Sequence, residues 1–182
     1  MVKMVYYSQE MIKSFVLDIM RQVYRDEWKP DYIVGINRGG LTPAVMMSHF
    51  MDLPMYTLDV RLRDGPDPES NLWMAEDAFG TFPQGTGPKG KNILILDDIN
   101  DTGATFNWIK NDWASGRRSE DREAWDTVWE TNVRFAVLTE NLSSEFDDVA
   151  YSATEINKAE DNVWIVFPWE EWWGVDYLER QN

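Results

Sequence analysis

The segment Ile93-Leu94-Ile95-Leu96-Asp97-Asp98-Ile99-Asn100-Asp101-Thr102-Gly103-Ala104-Thr105 constrains the fold more than any other part of the chain. Four consecutive apolar residues suit a strand buried on both faces, the situation of a central strand in a parallel sheet. A small-residue turn follows, and then Phe106, Ile109 and Trp113 recur at helical spacing. In such a strand–loop–helix unit the amides of residues 102 to 105 lie at a helix N-terminus. Unpaired N–H groups and the positive end of the dipole favour a phosphate there. Gly103 and Ala104 leave room for it, and the Thr102 and Thr105 hydroxyls add donors.

The acids beside this cradle need another task, because carboxylates repel a polyanion. Asp97 and Asp98, at the carboxyl end of the strand, are suited to accept hydrogen bonds from a ribose diol. One of them, with Asp98 the candidate, is placed to reach a hydrated Mg2+ ion, which takes oxygen ligands. Asp101 lies farther into the loop, where it can manage a proton or stabilise positive charge near a bound sugar; it is the candidate catalytic residue. Any one Asp has local reasons to sit at a turn or N-cap. A plain turn has no need of the whole run, with its paired acids, third acid and Thr-Gly-Ala-Thr cradle.

A second segment agrees. Tyr32-Ile33-Val34-Gly35-Ile36 reads as a buried strand, followed by Asn37-Arg38-Gly39-Gly40 and a helix with Thr42 and Pro43 in its first turn. Two glycines let backbone approach an oxyanion, and a guanidinium offers paired donors to phosphate oxygens.

The run from Leu96 to Thr105 resembles the phosphoribosyl-pyrophosphate signature of the type I phosphoribosyltransferases. The resemblance implies that Asp97 and Asp98 contact ribose hydroxyls or the metal shell, that Asp101 lies near the reacting base, and that Thr102, Gly103, Ala104 and Thr105 wrap the 5′-phosphate. It also implies that Arg38, Gly39 and Gly40 hold the pyrophosphate. A third segment, Val163-Trp164-Ile165-Val166-Phe167-Pro168-Trp169-Glu170, is similar to a C-terminal stretch of bacterial xanthine-guanine phosphoribosyltransferases. There the first aromatic stacks on the purine and neighbouring backbone reads its edge, roles that fall on Trp164 and Ile165. In a chain with ten Trp, packing is the competing use of such a ring.

The pattern departs from the purine enzymes at one place. They carry a Lys at the end of the strand after the motif helix, donating to the purine 6-oxo group, and Thr139 stands there. A threonine offers a single neutral donor. The acceptor is therefore open between a purine and a base such as orotate or uracil, with Lys158 able to substitute from another direction.

Charge and composition narrow the classes. With 32 acids against 17 Lys and Arg, the net charge of −15 opposes association with nucleic acid or anionic membranes. No Cys is present, so thiolate chemistry and disulfides are excluded. No signal-like segment or run of about 20 apolar residues occurs, and a cytoplasmic protein is expected.

The remaining pattern reads as alternating elements. Helices are expected over 8–27, capped by Ser8, and over about 42–51, where the lone His49 has no catalytic partner. Strands are expected at 32–36, 55–60, 92–97, about 132–138, 147–152 and 163–167. Between 62 and 90 a Gly- and Pro-rich stretch reads as a flexible loop. The resemblance implies a mobile hood there, with Arg61 or Arg63 at its base. Residues 114–131 read as a mixed-charge helical extension or exposed loop.

The expected architecture is a single α/β domain over 1–182, a mainly parallel sheet flanked by helices with a C-terminal or hood region over the active site. The expected activity is transfer of ribose 5-phosphate from phosphoribosyl pyrophosphate to a nucleobase, purine favoured, with Mg2+ as cofactor. A non-catalytic sensor of phosphoribosyl pyrophosphate or nucleotide is the alternative. The resemblance further implies a homo-oligomer, a dimer or larger.

Overall fold

The computed structural model describes residues 2–60, 62, 71–80, 90–116 and 122–170. Arg61, Arg63 and most of the expected hood lie outside the described residues.

The apolar run forms β4 (Ile93–Asn100), with Ile93, Leu94, Ile95 and Leu96 fully buried. It is the middle strand of a five-stranded sheet in the order β3-β2-β4-β5-β6. The others are β2 (Tyr32–Asn37), β3 (Met55–Asp59), β5 (Val133–Asn141) and β6 (Val149–Ile156), and every pairing is parallel. Successive β4 side chains serve opposite cores, which is why the run shows no alternation. Leu94 and Leu96 pack with Ile12, Val16, Ile19 and Val23 of α1 (Gln9–Arg25) and with Ala44 and Met47 of α2 (Leu41–Met51). Ile93 and Ile95 pack on the other face against Phe106, Ile109 and Trp113 of α4 (Ala104–Gly116). Each such aliphatic side chain contributes about 1.5–3 kcal/mol when removed from water. Ser8 caps α1 as expected, its Oγ accepting from the Met11 amide at 3.2 Å.

Three expectations are corrected. The 62–90 stretch is not loop throughout: α3 (Leu72–Phe79) packs Met74, Ala75 and Ala78 into the core. The 114–131 stretch takes the helical of its two expected forms, in the end of α4 and in α5 (Arg122–Thr131), but it is not all surface, since α5 buries Trp125 and Val128. The strand expected at 92–97 continues to Asn100, because β5 supplies partners as far as the Asn100–Glu140 pair.

One element had no counterpart in the sequence reading. β1 (Lys3–Tyr6) pairs in parallel with β7 (Val163–Val166), Lys3 opposite Val163 and Tyr6 opposite Val166, as a separate two-stranded sheet.

The sheet order places the site. β2 and β4 are neighbours, but the chain leaves β2 towards β3 and leaves β4 towards β5. This reversal opens a crevice at the strand carboxyl ends. Pairing of β4 with β2 stops at Gly35–Leu96, whereas pairing with β5 continues. Asp97 and Asp98 therefore emerge where β4 parts from β2.

Candidate active site

The crevice holds a cavity of about 600 Å3, lined by Asn37, Arg38, Leu62, Asp97, Asp98, Asp101, Thr102, Gly103, Ala104 and Thr105 among others. That volume lies within the range of small-molecule sites. The two turns singled out in the sequence thus reach one cleft, Arg38 from the end of β2 and residues 102–105 from the end of β4.

The 102–105 turn opens onto the cavity. Gly103 has φ +83°, and a Cβ there would stand 2.6 Å from the Phe146 nitrogen, so both conformation and space demand glycine. Behind the turn, the β5–β6 connection braces it: the Glu145 amide donates to the Thr102 carbonyl at 3.2 Å. Asn100, buried in β4, donates to the Phe146 carbonyl and to Glu140 Oε1, each at 2.9 Å, and accepts from Ser144 Oγ at 2.9 Å. These bonds leave the leading end of α4 aimed at the cleft.

Gly39 and Gly40 pack closely against β4. Neither is among the cavity-lining residues. A Cβ on Gly40 would meet the Leu96 carbonyl oxygen at 2.2 Å, and one on Gly39 would meet Asp98 Oδ2 at 1.9 Å. The β2–α2 turn therefore lies directly against the end of β4, and its glycines permit that approach. The peptide joining Asn37 to Arg38 is cis.

Asp97 and Asp98 line the cavity and are strained electrostatically. Asp97 Oδ1 accepts the Asp98 amide at 2.9 Å. Burial, then the charge of Asp98, pushes the Asp97 carboxyl well above the usual carboxylate range. Burial, then the nearby Glu170 carboxylate, pushes Asp98 up to about 6, while the Ile99 amide pulls it back. A cation placed against this pair would relieve both.

Asp101 is half-exposed, and its Oδ1 lies 2.8 Å from Lys158 Nζ. Its backbone carbonyl accepts from Asn141 Nδ2 at 2.7 Å. Asn141 is buried at the end of β5, and its Oδ1 also accepts the Lys158 amide at 3.0 Å. One carboxamide thus fixes the backbones of the acid and the cation together. The sequence reading gave no role to Asn100 or Asn141. The available signal was two asparagines at the ends of apolar strand patterns, where that residue is depleted and needs partners.

Thr139 is fully buried, and its hydroxyl donates to the Tyr7 hydroxyl at 3.3 Å, so it faces the core rather than the cavity. Trp164 lies on β7, 55% exposed, with Lys158 Nζ 5.9 Å from its ring centroid. Ile165 points the other way into the core, leaving only its backbone to any ligand. Neither Trp164 nor Ile165 lines the 600 Å3 cavity. His49 is exposed on α2, away from these groups, in accord with a solvated residue.

A parallel α/β sheet with its crevice at the β2/β4 reversal, two anion-suited turns and paired acids define a phosphosugar-binding architecture. The phosphoribosyl transferase domain model matches residues 6–172, and the chain belongs to that family. It is 24% identical over 189 residues to a hypoxanthine-guanine phosphoribosyltransferase of Schizosaccharomyces pombe, spanning 91% of this chain and 88% of that protein. Similarity to a xanthine-guanine phosphoribosyltransferase of Cereibacter sphaeroides reaches 27% over 150 residues, 81% of this chain and 72% of the relative. Among solved structures, a purine phosphoribosyltransferase from Pyrococcus horikoshii superposes with TM-score 0.62 at 26% identity, covering 93% of this chain and 95% of the other. No helix among the described residues is long and apolar enough to cross a membrane.

Proposed function

We propose that this protein transfers ribose 5-phosphate from phosphoribosyl pyrophosphate to a nucleobase nitrogen, a purine by preference, releasing pyrophosphate. The observation that carries this reading is the convergence of Arg38 and the Thr102–Thr105 turn on one cavity, with Asp97 and Asp98 between them. A donor with phosphate at one end and pyrophosphate at the other needs two anion sites separated by a sugar. The purine preference is supported by the two curated relatives, both purine enzymes by name.

The roles follow from position. The turn amides of 102–105 and the α4 dipole hold the 5′-phosphate. Arg38 pairs with the pyrophosphate and stabilises the charge that builds on it as the glycosidic bond lengthens. Asp97 and Asp98 take the ribose hydroxyls. Asp101 accepts the proton that the base nitrogen sheds on forming its new bond, or stabilises the positive charge developing on the ribose. The donor set fits Mg2+, which binds through one or two carboxylates while substrate oxygens and waters complete its shell. Asp98 is the protein ligand in this reading, and no cluster of three acidic or His side chains among the described residues offers a full protein cage. When bound, the ion neutralises pyrophosphate charge.

A second reading has one observation in its favour: Asp101 Oδ1 lies 2.8 Å from Lys158 Nζ, so the carboxylate is already engaged within the protein. In that case the protein binds phosphoribosyl pyrophosphate or nucleotide as a sensor and does not turn it over.

Pyrophosphate release, measured with Mg2+, the donor and guanine, xanthine, hypoxanthine, adenine, uracil and orotate in turn, separates the readings. Release with oxopurines and not with pyrimidines is expected. Donor binding without release from any base would replace the transferase with the sensor.

A further inference from the structure

Asn100 ends β4, two residues before the 102–105 turn begins, and is only 2% exposed. Its Nδ2 donates to the Phe146 carbonyl and to Glu140 Oε1, and its Oδ1 accepts from Ser144 Oγ, each at 2.9 Å. An apolar side chain would continue the strand pattern better, since asparagine is depleted in strands. What the carboxamide adds is a hold on the β5–β6 connection. That connection in turn grips the turn: the Glu145 amide donates to the Thr102 carbonyl at 3.2 Å, and the Glu145 carbonyl accepts from Asn107 Nδ2 at 3.3 Å. The Ser144 hydroxyl ties the segment together, accepting the Phe146 amide at 3.2 Å while it donates to Asn100. Residues 144–146 are thus clamped to β4 by Asn100 and to the first turn of α4 by Asn107, with the 102–105 turn between the two clamps.

We infer that Asn100 is a positioning residue for the phosphate end of the donor: by fixing Ser144, Glu145 and Phe146, it holds the 102–105 turn in its anion-binding form. The inference rests on the reading of that turn as the phosphate cradle. Amides grip an anion best when they are arranged before it arrives, because a nest that must reorder on binding loses affinity. The 37–40 turn has no part in these bonds and is set by the packing of Gly39 and Gly40 against the end of β4. Loss of the carboxamide therefore weakens one end of the donor and spares the other.

Ribose 5-phosphate and magnesium pyrophosphate test this, because each probes one end of the donor. Their affinities are measured by calorimetry for the wild type, Asn100→Leu and Ser144→Ala, with pyrophosphate release from the panel of bases measured in parallel. Asn100→Leu keeps the branched shape and removes all three bonds. It should bind ribose 5-phosphate about tenfold or more weakly and magnesium pyrophosphate within about twofold of wild type. Ser144→Ala removes one bond at a partly exposed position and should shift ribose 5-phosphate alone by about threefold; it decides the matter if Asn100→Leu does not fold. Unchanged ribose 5-phosphate affinity, or equal weakening of both ligands as a merely structural role would give, overturns the inference. A wild type without measurable affinity for both ligands overturns it as well. Selective loss in a protein that releases no pyrophosphate from any base leaves the inference standing and removes the transferase reading. Pyrophosphate release with a ribose 5-phosphate affinity that neither variant changes does the reverse.

Discussion

The two turns that meet at the crevice look alike in sequence and are unlike in structure. Each follows a buried strand, contains glycine and precedes a helix. The 102–105 turn spends its glycine on a left-handed bend and lines the cavity along its whole length. The 37–40 turn spends its glycines on contact, one against the Leu96 carbonyl and one against the Asp98 carboxylate, and only Arg38 with Asn37 reaches the cleft. A glycine after a strand therefore signals close approach, and what is approached is decided by neighbouring strands. In the first turn it is ligand space; in the second it is the acid motif itself.

Five substitutions break or sharpen this contrast. The largest effect is expected at Asp101, the last acid before the open turn. Asp101→Ala should lower turnover by about 10²–10⁴-fold, with donor affinity nearly unchanged, in steady-state and binding measurements. Turnover equal to wild type would remove Asp101 from the chemistry.

Next comes the packed turn. Gly40→Ala drives a methyl into the backbone of β4 and should destabilise the fold by about 3 kcal/mol or more, read from urea unfolding. Gly39→Ala meets a side chain instead. Rotation of Asp98 relieves that clash, so stability should fall by only about 1 kcal/mol while donor binding weakens sharply. Equal losses in the two variants would contradict the division of labour between these glycines.

Gly103→Ala should cost about 2–3 kcal/mol from its positive φ and the approach to Phe146, and should weaken binding of the 5′-phosphate end. A wild-type affinity for ribose 5-phosphate in this variant would mean the nest is not the phosphate site.

The smallest effect concerns Asp98, whose carboxyl is pushed up to about 6. The folded chain holds that proton more tightly than the unfolded chain, where an Asp titrates near about 3.9. Its contribution to stability is therefore largest on the acid side and declines as pH rises through that window. Without divalent metal, Asp98→Asn should be more stable than wild type at neutral pH by about 1–2 kcal/mol, or about 2–4 °C in Tm per kcal/mol. The gain should shrink at pH 4 and be accompanied by loss of metal-dependent donor binding. A variant less stable than wild type at neutral pH would show that the site is not electrostatically strained.

Much of the crevice was legible because it is local. The apolar run, the acids and the small-residue turn are contiguous, so β4, α4 and their loop could be read from a single stretch, and the same holds for β2 with Arg38. The missing pieces depend on distance. β1 has four residues, most of them exposed, and its partner lies at the far end of the chain. The α3 helix is eight residues long, begins after Asn71 in a left-handed conformation with no side-chain cap bond, and stands between Gly- and Pro-rich stretches that read as loop. Thr139 lies within β5, two residues before its end, and only the packing of Tyr7 shows that its hydroxyl turns inward. The roles of Asn100, Asn141 and Lys158 arise from bonds across three strands and two turns, which no periodicity encodes.

The pairing of β1 with β7 sets an order of assembly. Residues 32–116 contain the strands and turns that grip the donor, and they leave the ribosome well before Val163–Val166 can dock beside Lys3–Tyr6. The strand that carries the Trp164 platform is held only by β1 among the described strands, with Met4 opposite Trp164 and Val5 opposite Ile165. Loss of the β1–β7 pairing would therefore remove the aromatic surface while leaving the strands that carry the phosphate turns paired in the other sheet.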